Sequence, residues 1–246
     1  MNITNFLGKN GLRRTAGTSN LPSPFWEYVF QVLSREDVPY FTRIRGVDFC
    51  KYLCGPEKSH FFELIFPLSA QYFAVFRRDG IFSELLPEFD LCYYVPQDKN
   101  VSKNVFDHTV SVINNTMKLQ QNDQTLYWSA LFHDLGKLYS YQKYNNFIGH
   151  EHESTKIASY YSDKFNLKHK TDIVTTVQYH MKPLQYQRIP DWSDRTIKAF
   201  VDSVGGISNA AYCIELAKAD KKAEHPNNDF SANLDELMTK VICLKS

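Results

Sequence analysis

The chain has 246 residues, 43% hydrophobic and 22% charged, with a formal net charge of +1 at pH 7. That length suits one large domain or two smaller ones, and the mixture is that of a soluble globular protein rather than a disordered chain. The near-zero charge gives no overall basic excess for a broad nucleic-acid surface, and the cysteines (Cys50, Cys54, Cys92, Cys213 and Cys243) complete neither a zinc quartet nor a disulfide framework. No apolar run approaches membrane-spanning length, and MNITNFLGKN lacks the apolar core of a signal peptide. A cytoplasmic protein with no membrane partner is expected.

Residues 1–24 hold Gly8, Gly11, Gly17, Pro22 and Pro24 and read as a loose N-terminal segment. From Phe25 to about Leu53, Phe25, Trp26, Val29, Phe30 and Leu33 recur at helical spacing. GPEKS breaks that pattern. HFFELIFPLSAQYFAVFRRDG then predicts two short helices divided near Pro67, and Pro87 and Pro96 cut the next stretch into brief elements. A boundary near Gln97 separates a helical region, 25–97, from a larger unit, 98–246. In that unit VFDHTVSVINNTMKL predicts a helix, and QTLYWSALFHDLGKL a strongly apolar one stopping at Gly136 as its C-cap. A loop rich in Tyr and Asn is expected to about Gly149. HEHESTKIASYYSDKF, DIVTTVQYH, SDRTIKAFVDSV, SNAAYCIELAKADKKA and ANLDELMTKVICL predict further helices. Few stretches alternate with a two-residue period, so the expected class is all-α: a helical bundle preceded by a smaller helical region.

His133 and Asp134 follow an apolar run, where two polar side chains are costly unless something pairs them. A lone His-Asp pair is a weak signal; its companions strengthen it. His108 lies on the preceding helix, His150 opens the following one, His180 ends the next, and Asp220 sits further on. Helices of a bundle can present one such residue each at a common level, which is how bundle cores build metal sites. Imidazole with carboxylate suits transition metals better than calcium. His152 competes with His150, and Asp202 with Asp220. Lys218 and Lys221, beside Asp220, could add positive field. Tyr139, Tyr141 and Tyr144 could line a base pocket or simply pack.

FDHT, ALFHDLGK, GHEHE, QYH and KADKK together resemble the HD-domain metal-dependent phosphohydrolase superfamily, named for its His…His-Asp…Asp signature. The resemblance implies an all-helical fold in which His108, His133, Asp134 and Asp220 hold one divalent metal (Mn, Co, Ni, Fe or Mg). His150 and His180 match the histidines that hold a second ion in dinuclear members, with Asp134 as the bridge. SPFWEYVFQVLSREDVPYF and YFAVFRRDGIFSELLPEFDLCYYVPQ are similar to the helical segments before this domain in bacterial CCA-adding tRNA nucleotidyltransferases, so that roughly residues 24–225 follow that pattern. The nucleotide-polymerising signature of those enzymes does not occur in the chain, and a stand-alone phosphohydrolase is expected. Such trimmed forms resemble phage-type deoxynucleoside-5'-monophosphatases, which for a phage-encoded chain places it in the host cytoplasm.

The expected activity is therefore metal-dependent hydrolysis of (deoxy)nucleoside 5'-monophosphates to nucleoside and phosphate. Asp134 and Lys137 are its expected catalytic residues, with Lys137, one turn from His133, contacting the phosphate. The alternatives are a 2',3'-cyclic phosphodiesterase or RNA-end phosphatase, and a non-catalytic RNA-binding protein with a relic metal site. Retention of every candidate ligand weighs against the relic, and the near-neutral charge against stable nucleic-acid binding.

Overall fold

The computed structural model describes residues 55–99, 102–119, 123–227 and 231–244. The loose segment expected over 1–24 and the helix expected from Phe25 to about Leu53 lie outside them.

The described residues are all-α apart from one small ribbon. Helices α1 (Gly55–Ile65), α2 (Ala70–Arg78), α3 (Ile81–Leu85) and α4 (Pro87–Leu91) come first, then a 3-10 turn at Cys92–Tyr94. Strands β1 (Pro96–Lys99) and β2 (Ser102–Asn104) pair antiparallel, with Pro96 opposite Asn104. There follow α5 (Val105–Leu119), α6 (Gln124–Phe132), α7 (Lys137–Tyr144), α8 (His150–Lys164) and α9 (Lys170–Tyr179). The last are α10 (Lys182–Arg188), α11 (Asp194–Ser203), α12 (Ile207–Glu224) and α13 (Ser231–Cys243). None of the described helices is long and apolar enough to cross a membrane.

Two apolar clusters organise these helices. The larger runs from Phe61 to Ala223 and takes in residues on both sides of Gln97. Phe62 on α1 stacks on Phe165, with centroids 5.7 Å apart, and meets Trp128 of α6 at 5.4 Å. Phe89 of α4 stacks on Phe106 of α5 at 4.5 Å. Such offset and edge contacts add to the burial of the rings. The smaller cluster joins Leu184 and Tyr186 of α10, Ile197 and Phe200 of α11, and Leu234 and Leu237 of α13. Helix α12 belongs to both: Leu216, Ala219 and Ala223 face the first cluster, Ala210, Cys213 and Ile214 the second.

The chain departs from several expectations. GPEKS, expected to lie between helices, forms the first turns of α1, because a proline is tolerated in the first turn, where its missing N–H would have no partner; the stretch it was expected to break lies outside the described residues. Helix α6 stops at Phe132, so Gly136 is not its C-cap; Gly136 has a right-handed φ of −65° and leads into α7. The expected Tyr/Asn loop is mostly that helix, ended by Asn145 in the left-handed region at φ 54°. KLYSYQKY has no aliphatic stripe to betray a helix, and Tyr139 and Tyr144 are exposed. Helix α10 was not expected at all; Pro183 sits in its first turn, where a proline is tolerated.

Candidate metal centre

The centre is assembled from five helices whose ends are set by local chemistry. Asn104 starts α5: its Oδ1 accepts from the Asp107 backbone N–H at 2.8 Å, and its side-chain N–H donates to the Asp107 carboxylate at 2.8 Å. This reciprocal cap fixes the phase that turns His108 inward. Asp123 caps α6, accepting from the Leu126 N–H at 3.0 Å. Thr125 to Phe132 are all buried, so α6 delivers His133 and Asp134 into the interior. Two tight turns then carry the chain to α7. A Cβ on Gly136 would lie 2.1 Å from the His150 carbonyl oxygen and 2.4 Å from the Ser154 backbone N. Glycine is therefore required for close approach, which lets the start of α7 lie against the start of α8. The Gly136 N–H donates to Ser154 Oγ at 2.9 Å, locking that approach.

The result centres on Asp134. Its Oδ2 lies 3.2 Å from His133 Nε2, 3.4 Å from His108 Nε2 and 2.5 Å from Lys137 Nζ. Its Oδ1 faces the other way, 3.1 Å from His150 Nε2 and 4.0 Å from His180 Nε2. His150 and His180 meet Nε2 to Nε2 at 3.2 Å. Asp220 Oδ1 is 2.9 Å from His108 Nε2. Among the described residues two groups could hold a metal ion, His108–His133–Asp134 and Asp134–His150–His180, and they share Asp134. All seven residues singled out in the sequence, Lys137 included, meet in this one buried cluster.

The ring tautomers are set from outside. Nδ1 of His133, His150 and His180 lies 2.8, 2.8 and 2.7 Å from the carbonyls of Ala130, Phe147 and Val177. A carbonyl only accepts, so Nδ1 carries the proton and the Nε2 lone pair is turned to the centre. His108 Nε2 and His133 Nε2 are fully buried, and neither makes a hydrogen bond of acceptable geometry despite the nearby carboxylates. An orphaned buried nitrogen is costly; a cation among these atoms removes the cost at both. The donor set of imidazoles and carboxylates is one that transition metals take, so the residues fit a divalent ion.

The electrostatics agree with that fit. Burial pushes the Asp134 carboxyl up, but the neighbouring His133 and Lys137 charges outweigh it, holding it well below the ordinary range. Burial likewise works against ionised Asp220, and His108 reverses it, keeping Asp220 low. Burial depresses His108 despite Asp220 and Asp134. His180 is pushed down to about 3 by burial and by the charges of His133 and His150. His133 goes the other way, since Asp134 overcomes the burial that would lower it. Ionised carboxylates beside neutral His108 and His180 are the states that ligate metal.

The rivals fall away. Asp202 is exposed and pairs with Lys198 at 2.7 Å, on α11. His152 is exposed, as expected of a residue two positions after inward-facing His150. Lys218 is paired to Glu215 and Asp235, and Lys221 to Glu224, so neither points its charge at Asp220. Tyr139 and Tyr144 line an open cleft of about 910 Å³ with Lys143, Asn146 and His152, between α7 and the start of α8. Tyr141 instead packs near Phe147. Sequence reasoning missed Gln97, whose Oε1 accepts from Lys137 Nζ at 3.2 Å. It also missed Ser154, although Asn104 and Asp123, cap-forming residue types just before helices, were readable signals.

Comparison with known proteins agrees with this arrangement. Residues 105–222 match the HD domain. The Multifunctional CCA proteins of Actinobacillus pleuropneumoniae serotype 5b (strain L20) and serotype 7 (strain AP76) are each 34% identical over 119 residues, covering 44% of this chain and 28% of each relative. That of Pseudomonas fluorescens (strain Pf0-1) is 31% identical over 97 residues, 38% of this chain and 24% of the relative. The chain thus spans about a quarter of the length of the curated relatives it matches. Residues 105–222 are an HD domain, and that domain, with its two His/Asp groups able to hold a metal, supports a metal-dependent phosphohydrolase.

Proposed function

We propose that the protein is a metal-dependent phosphomonoesterase that hydrolyses (deoxy)nucleoside 5'-monophosphates to nucleoside and phosphate. The observation that carries this reading is the division of the Asp134 carboxylate, one oxygen toward His108 and His133 and the other toward His150 and His180. When bound, one or two divalent ions (Mn, Co, Ni, Fe or Mg) supply an acidified water and positive charge against the phosphate. The chain's own residues do the rest. His133, His150 and His180 are held by backbone carbonyls with Nε2 inward. Asp134, kept ionised, spans the two groups. Lys137 Nζ spends two of its N–H bonds on Asp134 and Gln97; its ammonium is placed to counter charge on the phosphoryl oxygens as the ester bond breaks. Burial of this cluster strengthens each of these interactions.

A second reading, cleavage of 2',3'-cyclic phosphates or RNA-end phosphates, is favoured by the likeness to Multifunctional CCA proteins. The test is phosphate release from dNMPs, NMPs and 2',3'-cyclic nucleotides with Mn, Co, Ni or Mg, or with EDTA. EDTA-sensitive release from monophosphates is the expected result. Turnover of cyclic substrates alone selects the second reading. Metal binding with no turnover across the panel refutes both and leaves a non-catalytic binding protein.

A further inference from the structure

From the surroundings of Lys137 we infer that Gln97 is a phosphoryl-binding residue of this centre, supplied by the ribbon that precedes the matched HD domain. The assignment rests on the phosphohydrolase reading above. Gln97 is 1% exposed, although it sits on a two-stranded ribbon. Its orientation is not free. Lys137 Nζ, 3.2 Å away, can only donate, so the amide oxygen must face it. The amide nitrogen is then turned away, fully buried, and it has no partner. A buried N–H without an acceptor is costly, and an apolar side chain of the same size would avoid that cost.

The side chain is also firmly held. The Val105 N–H donates to the Val95 carbonyl at 3.0 Å, closing the base of the ribbon, and β2 runs straight into the α5 cap and His108. Gln97 is thereby tied to the helix that carries a candidate ligand, and Lys137 ties it to Asp134. What the pair offers is an ammonium, held against the Asp134 carboxylate, beside an amide with two unused N–H bonds. That is a donor set for an oxyanion with several oxygens, such as a terminal phosphate. A glutamate would hold Lys137 at least as well, but would cancel its charge and repel the anion. The amide holds the lysine and adds a donor.

The test uses the full chain loaded with Mn, and inorganic phosphate as the probe, followed by calorimetric titration and by competition with the best monophosphate substrate. Metal content and melting temperature are recorded for each variant. Gln97→Met keeps the volume and loses the amide; Gln97→Glu keeps an acceptor for Lys137 and loses the donor. Phosphate binding is expected to weaken about tenfold in Q97M, the loss of one hydrogen bond to a charged acceptor, and further in Q97E, with metal content unchanged. A residue that merely props Lys137, or binds a water, predicts the opposite order, with Q97E close to wild type. Wild-type phosphate affinity in Q97E therefore overturns the assignment, and if Q97E does not fold, wild-type affinity in Q97M does so. A wild-type holoenzyme that neither binds phosphate nor hydrolyses any monophosphate overturns the phosphomonoesterase reading itself.

Discussion

Gly136→Ala tests whether the close approach of α7 to α8 builds the centre. The added Cβ would lie 2.1 Å from the His150 carbonyl oxygen, 2.4 Å from the Ser154 N and 2.8 Å from Ser154 Oγ. Two of these are backbone atoms, so no side-chain rotation relieves the clash. Restoring a separation of about 3.5 Å needs a shift of roughly 1.4 Å in the start of α8. Overpacking of this kind costs about 1–3 kcal/mol, and weakening the buried Gly136 N–H to Ser154 Oγ bond adds about 1 kcal/mol. For a chain of this size a loss of about 3 kcal/mol lowers Tm by roughly 6–12 °C. The same shift takes His150 out of its 3.1 Å contact with Asp134 Oδ1 and its 3.2 Å contact with His180. His108, His133 and Asp220 are carried by other elements and stay in place. Thermal melts, metal content after dialysis against Mn, and phosphate release should together show a destabilised chain that binds less metal and turns over about a hundredfold more slowly. A G136A protein with wild-type Tm and metal content would refute the reasoning.

Three further outcomes are expected. Asp134→Ala should abolish phosphate release with helical content retained by circular dichroism; in EDTA it should lose about 3–5 kcal/mol in urea melts, because Lys137 is left a buried, poorly paired charge. Adding Lys137→Met should recover part of that loss. Asp220→Ala should cost metal affinity, whereas Asp202→Ala, on an exposed pair, should change stability by no more than about 0.5 kcal/mol and activity not at all. In the metal-free protein, His180 has its pKa lowered from 6.5 to about 3, so the unfolded chain binds the proton that the folded one refuses. Its contribution to stability is complete above pH 6.5 and is lost as pH falls toward 3, by up to about 1.4 kcal/mol per pH unit. Urea melts at pH 7 and pH 5 should show this slope in wild type and a shallower one in His180→Asn; equal slopes would refute it.

The all-α class and most helix spans were legible along the chain, because period and caps are local. VFDHTVSVINNTMKL carries its own apolar face, and the helix occupies those residues, Val105–Leu119. The order of His108, His133-Asp134 and Asp220 was likewise readable as a signature. What misled was chemistry with two meanings. Gly136 resembles a C-cap in sequence, yet its role is steric and is defined by His150 and Ser154, residues far along the chain. KLYSYQKY and KPLQYQR lack the apolar stripe or open with a breaker, so only their packing reveals helices.

Residue types and their order thus dictate that an all-helical chain carries imidazoles and carboxylates with metal-binding chemistry. Which oxygen of Asp134 faces which histidines, that Lys218 and Lys221 are spent on other carboxylates, and that Gln97 reaches Lys137 from forty positions away were settled by assembly of the fold. The reason is physical: helix formation depends on neighbours within a few positions, whereas a buried polar cluster depends on distances between elements, and those exist only once the aromatic core has drawn the helices together.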